Sequence, residues 1–434
     1  MRISNSIRTA LTGVAIAGIG FSAAPAMAGG FYIQDQSTKG TGRANSGEVA
    51  DQGAESLWWN PAAIGGLDGG SAAISATAIL PRADVSNVNT LIIRPGQAPA
   101  PVGGDQVSHN PINNGVVPSG AIAHSLGHGV AVGLVVTAPF NFTTQYPSTS
   151  WARYTALTTR LRTFDIQPSF AVQLAPGFSV GAALNIERTT AKLGNALPNL
   201  LAVLPDGMEQ LTGSSWDFGY TLGAQYRSGP LSLGASYKSA IKHDLGGSVT
   251  VSGLLGPLAG QNGSVSADAR FTTPWQASIG ARLAITRAVT LDATVTRFGW
   301  DKFSAITLSA PINAVIPENY RNTWSYAVGA DIDVAPTWTL RAGVQRDLTP
   351  VRNDQRDARV PDANRWTFAM GATHALSKAF KIDVGANYLM LKSSPVDRIT
   401  AAYAGTPVQT PIIVNGEVSK AHVFVLSLGG RLSF

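Results

Sequence analysis

Residues 421–434, AHVFVLSLGGRLSF, put His422, Phe424, Leu426, Leu428, Gly430, Leu432 and Phe434 on one face of an extended chain, and Ser427, Gly429, Arg431 and Ser433 on the other. Successive side chains of a strand point to opposite faces, so this is a strand with one apolar and one mixed face. Alone, it fits a soluble sheet equally well. The alternation returns upstream, however. Trp324, Tyr326, Val328, Ala330, Ile332 and Val334 oppose Ser325, Gly329, Asp331 and Asp333; Trp338, Leu340, Ala342 and Val344 oppose Thr339, Arg341, Gly343 and Gln345; Phe380, Ile382, Val384, Ala386 and Tyr388 oppose Lys381, Asp383, Gly385 and Asn387. Asp331, Arg341 and Lys381 then face one polar interior. A globular sandwich hides its apolar face, so this inverted arrangement calls for an apolar exterior. The architecture that supplies one is a closed β-barrel in lipid, in which every backbone group is paired and no edge remains.

The pattern predicts strands near 71–80, 116–126, 129–146, 162–175, 177–192, 215–228, 230–243, 263–285, 288–302, 320–335, 336–349, 363–377, 379–392 and 420–434. Links after the even-numbered ones are tight: LGHG, APG, SGP, ITRA, VAPT and LSKA. The others, 81–115, 193–214, 244–262, 303–319, 350–362 and 393–419, are long, with a further one near 147–161. Short and long links alternating through about fourteen strands describe an all-β, antiparallel transmembrane barrel of the outer-membrane kind, with short periplasmic turns and long outer loops. Trp216, Trp275, Trp300, Trp324, Trp338 and Trp366, near strand ends, are expected in the interfacial girdles. A terminal Phe434 suits this class.

The ends and the composition agree. Arg2 and Arg8, an apolar stretch from Ala10 to Ala24 and then Ala26-Met27-Ala28 read as a signal peptide over 1–28, so the mature chain is expected to begin at Gly29. Removing it takes two arginines and no acid, lowering the net charge from +6 to +4, too mild an excess to argue for nucleic acid. No later run approaches the roughly 18 apolar residues of a membrane-spanning helix. Charged residues are 13% of the 434 and glycine numbers 46, a composition for a chain that meets two different solvents. Cysteine is absent, which excludes disulfides and thiolate chemistry. An enzyme would need a nucleophile, a base and an orienter. His124 and Ser125 are adjacent and so point to opposite faces, and histidines 109, 128, 243, 374 and 422 have no ligand spacing. No catalytic residue, metal or cofactor is expected.

Residues 29–70 carry no period-two strand. Ahead of a barrel over 71–434, such a segment is expected to fold into the lumen as a plug. Within SLWWNPAAIGGL (56–67), Asn60 is a good N-cap, Pro61 suits the first helical position, Ala62 continues it, and Gly65-Gly66 ends what can be only a turn or so. Trp58 and Trp59 would fill space.

The plug also carries GTGRANSGE (40–48) ahead of Asn60-Pro61-Ala62, and the barrel carries WDFGYTLGAQY (216–226), SYKSAIKHDLGG (236–247), TPWQASIGA (273–281), RFGWDKF (297–303) and VPDANRWTFAMGATHALSKAFKIDVGANYL (360–389). In order and spacing these resemble the FadL-type outer-membrane transporters of long-chain fatty acids and hydrocarbons, across essentially the whole mature chain. The resemblance implies passive uptake of a hydrophobic compound by a monomer in the cell outer membrane, among its lipid and lipopolysaccharide, and release sideways through a kinked third strand. Here that strand reads VAVGLVVTAPFNFTTQY (130–146). Pro139 has no N–H for a ladder bond, an independent sign of a break at Pro139, Phe140 and Asn141, although Pro168 in the next strand is internal too. The Asn60 turn is expected to dock at this break, its amide serving backbone groups near Pro139.

Two outer loops are unusually apolar. Leu197, Leu200, Leu201, Leu204, Met208 and Leu211 recur at helical spacing, and Leu254, Leu255 and Leu258 follow in the second loop. The resemblance implies that Leu200, Leu201, Leu204, Met208, Leu254, Leu255 and Leu258 form a capture groove, which passes cargo to a tighter pocket around Gly29, Gly30 and Phe31. The plainer alternative is that these leucines pack on one another. For a carboxylate cargo, Arg153, Arg160, Arg162 and Lys192 lie near the outer strand ends, where lipopolysaccharide phosphates are equal claimants. Fatty acid is the leading cargo. Aromatic hydrocarbon is the alternative within the family, and a general diffusion porin, with an open lumen and no plug, is the alternative outside it.

Overall fold

A computed structural model describes residues 29–434; the expected signal peptide lies outside the described residues. Fourteen strands form the wall: β1 (Gly70–Asn87), β2 (Gly115–Gly127), β3 (Val130–Thr137, resuming as Asn141–Gln145), β4 (Thr158–Ala175), β5 (Phe178–Leu197), β6 (Gly207–Ser228) and β7 (Leu231–Lys238, resuming as Ile241–Ser252). The circle continues with β8 (Gly263–Thr273, resuming as Trp275–Ala284), β9 (Val289–Gly299), β10 (Thr323–Ala335), β11 (Trp338–Asp347), β12 (Arg365–Ala375), β13 (Phe380–Leu391) and β14 (Thr410–Ser433). Each pairs antiparallel with the next, and β14 returns to β1 from Ser71↔Ser433 to Asn87↔Gly416. Closure leaves no strand edge to be satisfied by lipid, which offers no hydrogen bonds. The six tight links are all turns. At the first of them His128 and Gly129 take φ of +54° and +77°, the left-handed backbone of a tight hairpin.

The outward rows are apolar, as the alternation requires. Phe218, Ile279, Met370 and Leu428 are 60–69% exposed on this chain. Leaving side chains of that size in water would forgo about 1.5–3 kcal/mol each, a deficit that acyl chains remove. Trp216, Trp324, Trp338 and Trp366 are exposed on the same surface, as expected of girdle residues. Trp300 departs from the expectation. It is fully buried, because the chain leaves β9 in a tight turn (Trp300–Lys302) that tips the indole inward.

Above the lipid band the strands continue, and their pattern inverts. In the upper parts of β7 and β8, Ile241, Leu245, Val249, Ala267, Ala269 and Phe271 are buried, while Lys242, Asp244 and Arg270 face water. In β14 the buried set is Ile412, Val414 and Val418 before Lys420, then Ala421, Val423 and Val425 after it. The phase changes at Lys420, where φ is +53°, opposite a register shift at Arg82–Asp84 of β1. Several expected loops are therefore largely strand. Only 198–206 separates β5 from β6, and β7 runs to Ser252. Short hairpin strands at Ala305–Leu308, Val315–Pro317 and Ser394–Ala402 fill parts of two others.

Residues 29–69 occupy the lumen. The turn Thr38–Thr41 packs on β1, β12, β13 and β14; Glu48–Ala50 on β7 and β8; Pro61–Ile64 on β4, β5 and β6. Charges hold this segment against the wall. Arg43 meets Glu48 at 2.7 Å, Asp51 at 2.6 Å and Asp331 of β10 at 3.2 Å. Lys39 meets Asp51 and Glu55 at 2.8 and 2.7 Å, and Arg431 of β14 reaches Glu55 at 3.3 Å. Asp331 and Arg341 do face inward, 3.1 Å apart.

Candidate functional site

Directly over the plug lies a narrow cleft of about 80 Å³. Phe31 contributes its floor. Phe142 of β3, Leu161 of β4, Leu193 of β5, Leu211 of β6, Leu245 of β7 and Phe271 of β8 build one wall, and Phe303, Ile306, Ile316 and Tyr320 from the link between β9 and β10 build the other. Phe31 stands edge-on to Trp300 and Phe303, each with ring centroids 5.1 Å away, and to Phe140 at 5.8 Å. Such contacts fix ring orientation as well as burying area. Gly30 holds Phe31 in place: its N–H donates to Asp362 Oδ2 at 2.8 Å, its φ is +78°, and an added Cβ would press on Trp300 at 3.0 Å. Of the expected pocket trio, then, Phe31 meets the cleft, whereas Gly29 and Gly30 lie behind it against Arg365 and Trp300.

The cleft ends in a charged rim. Arg359 donates to Asn195 Oδ1 at 3.0 Å and Thr159 Oγ1 at 3.4 Å. Arg398 pairs with Asp357 at 3.1 Å and Glu318 at 3.6 Å. Glu318, in an outer link above the lipid band, is pushed up to about 7, chiefly by burial, with Arg398 opposing. Sequence reading missed Arg359, which sits in a loop with no periodicity. Arg153, one of the expected cations, is engaged elsewhere, with Asp206 at 2.8 Å and over the Tyr154 ring. Arg160 borders the cleft, yet its pairing with Lys192 on β5 sets both side chains on the face opposite Leu161 and Leu193, and Arg162 shares that outer face. Among the described residues no group of three or more His, Asp or Glu side chains could hold a metal.

The third strand is interrupted. Its pairing with β4 runs to Thr137↔Asp165 and resumes, shifted by one residue, at Asn141↔Arg162; residues 115–119 of β2 have no partner from it. The opening is filled from inside by the start of the plug. Ile33 N–H donates to Pro139 O at 2.7 Å, and Tyr32 forms a bridge with Phe140. The Gln36 amide both donates to Ala138 O and accepts from Ala138 N–H at 3.2 Å, and Ser119 Oγ donates to Gln36 O at 2.6 Å. Asn141 turns its amide to Ala138 O at 3.1 Å.

Asn60 does not reach this break, contrary to expectation. It caps the turn Pro61–Ile64 by accepting from Ala62 N–H at 2.9 Å, and its amide donates to Val49 O at 2.7 Å, Ala224 O at 3.1 Å and Ala235 O at 3.4 Å. Ala224 and Ala235 are cross-strand partners on β6 and β7, so the amide bridges that ladder from within. Pro61 follows at the first position of the turn and presses against Gly181 of β5. Leu57 and Ile64 also lie beside β3, against Gly133, but the Asn60 amide is turned to β6 and β7, and the break is served by Gln36.

The first leucine-rich loop forms no helix, residues 198–206 being bends and turns, whereas the second carries a short 3₁₀ helix, Gly256–Gln261, that includes Leu258. Leu254 and Leu258 are buried against Leu197, with Leu200 and Tyr403 beside them, while Leu201, Met208 and Leu255 are exposed and Leu204 is half-buried. None of the seven groove residues borders the cleft, whereas Leu211 does.

A family model described as "Outer membrane protein transport protein (OMPP1/FadL/TodX)" matches residues 19–431. The "Long-chain fatty acid transport protein" of Escherichia coli O6:H1 is 26% identical over 404 residues, covering 84% of this chain and 87% of the relative. Among solved structures, a Pseudomonas aeruginosa FadL homologue superposes with a TM-score of 0.82 at 23% identity, covering 93% of this chain and 100% of the other. The Ralstonia pickettii toluene transporter TbuX gives 0.65 at 18% identity, with coverage of 93% and 100%.

Proposed function

The chain belongs to the outer membrane protein transport family (OMPP1/FadL/TodX), outer-membrane carriers of hydrophobic compounds, and from that premise we propose that its own cargo is a long-chain fatty acid, which it moves passively and does not transform. The observation that carries this reading is the cleft itself: a narrow apolar slot over Phe31, with the Arg359 guanidinium at its rim. At about 80 Å³ the slot as it stands takes only part of an acyl chain and must widen to admit a whole one; a carboxylate suits a guanidinium, which offers paired donors in a fixed fork. Cargo would be gathered by the exposed Leu201, Met208 and Leu255, held over Phe31, and released where Pro139, Phe140 and Asn141 interrupt the wall. Release requires withdrawal of the segment Tyr32–Gln36, which means breaking its hydrogen bonds to Ser119, Ala138, Pro139, Gln276, Gln345 and Asn387.

Aromatic hydrocarbon is a second reading, favoured by the rings of Phe31, Phe142, Phe271, Phe303 and Tyr320 around the slot. The two are separated in a strain stripped of its own hydrophobic-compound transporters, by uptake of oleate against toluene. Wild-type protein is expected to restore oleate uptake, and Arg359→Gln to reduce it by about tenfold, the worth of one charged hydrogen-bonded contact. Uptake of toluene but not oleate would establish the second reading. An Arg359→Gln variant with undiminished oleate uptake would remove the role given to that guanidinium.

A further inference from the structure

Arg297 of β9 stands directly opposite Trp324 of β10, and Arg346 of β11 stands directly opposite both Tyr326 of β10 and Trp366 of β12. All five belong to the outward-facing alternation. Trp324, Tyr326 and Trp366 are 39–47% exposed. Arg297 lies over the Trp324 ring at 4.8 Å and Arg346 over the Trp366 ring at 5.1 Å, while Trp324 and Tyr326 stack at 6.2 Å. The result is one continuous band across four strands, at the ends away from the tight periplasmic turns. A similar pair recurs farther round the wall, where Arg188 faces Trp216 across β5 and β6.

Cation–π contact alone explains why a tryptophan accompanies each arginine. It does not explain why two guanidinium groups are set on the lipid-facing exterior with no carboxylate partner among the described residues. Asp292 and Asp347, the nearby acids of β9 and β11, are buried on the inward side. A cation against acyl chains is costly unless an anion meets it, and at this level the anions available belong to lipid headgroups. The two guanidinium groups are separated by two strand spacings, roughly 10 Å, a span that a headgroup bearing two phosphates can cover.

We propose that Arg297, Trp324, Tyr326, Arg346 and Trp366 form a binding site for a phosphorylated glycolipid of the outer leaflet. The arginines take the phosphates, and the rings pack against the sugar and the first acyl carbons. The site lies outside the lumen and is independent of the cargo reading.

Full-length protein in detergent, checked for folding by heat-modifiable gel migration, is titrated with diphosphorylated lipid A or its dephosphorylated form, and bound lipid is read by native mass spectrometry. The diphosphorylated lipid is expected to bind at least about tenfold more tightly, and the Arg297→Gln/Arg346→Gln variant to lose that preference. Millimolar inorganic phosphate should not displace it. Equal binding of the two lipids by wild-type protein, an undiminished preference in the variant, or displacement by inorganic phosphate alone would each overturn the proposal. Should the variant not fold, the wild-type comparison decides.

Discussion

Asn60 shows how one residue can serve two elements. Its Oδ1 caps the turn Pro61–Ile64, and its Nδ2 reaches carbonyls of the plug and of two wall strands. Gly223 makes the approach possible, since a Cβ there would collide with the Asn60 amide oxygen. The cap and the helical proline are legible in the local sequence because they depend on neighbours two residues away. The carbonyl partners are not, because Ala224 and Ala235 are more than 160 positions distant. Asn60→Ala removes the cap and withdraws the donor from buried carbonyls, so the folded state should lose about 2–3 kcal/mol. The urea midpoint of detergent-solubilised protein measures this. A midpoint unchanged from wild type would show that the amide is dispensable.

Among the elements, β3 and the first plug residues behave as a wall and its stopper. Pro139 could be read from the sequence as an interruption because a missing N–H is a local fact. The stopper could not, since Tyr32 to Gln36 lack any period and their partners on the wall strand, Ala138, Pro139 and Phe140, are far away in sequence. The long outer strands were hidden for a different reason. Their alternation continues but changes phase where lipid outside gives way to water, so apolar rows turn inward and resemble greasy loops. The chain has no cysteine of its own, so the stopper can be tethered. Tyr32 and Phe140 are antiparallel partners, and such pairs fall within disulfide reach. In a Tyr32→Cys/Phe140→Cys variant, oxidation should cut cargo uptake by about tenfold, and reduction should restore it. Uptake indifferent to oxidation would place the exit elsewhere.

At the scale of the whole molecule, three solvents divide the same fourteen strands. Lipid faces the lower exterior, water the upper exterior, and the chain's own first residues the lumen. The lipid boundary was readable because it imposes one phase on every strand. The cleft was not, because its walls come from seven separate elements and its cation, Arg359, from an aperiodic loop. What separates a selective conduit from an open pore is whether the lumen stays filled, and Arg43 is central to that. Its side chain is fully buried among Glu48, Asp51, Asp292 and Asp331, at 2.6 to 3.6 Å. Removing one partner from a buried ionic cluster costs about 3–5 kcal/mol, because the others are left uncompensated. Reconstituted wild-type protein should therefore give liposome swelling with small sugars no faster than protein-free vesicles, while Arg43→Ala, by loosening the plug from β9 and β10, should admit them. Rapid swelling with the wild-type chain would mean that water and sugars already pass the plug, and the protein would have to be understood as a diffusion porin.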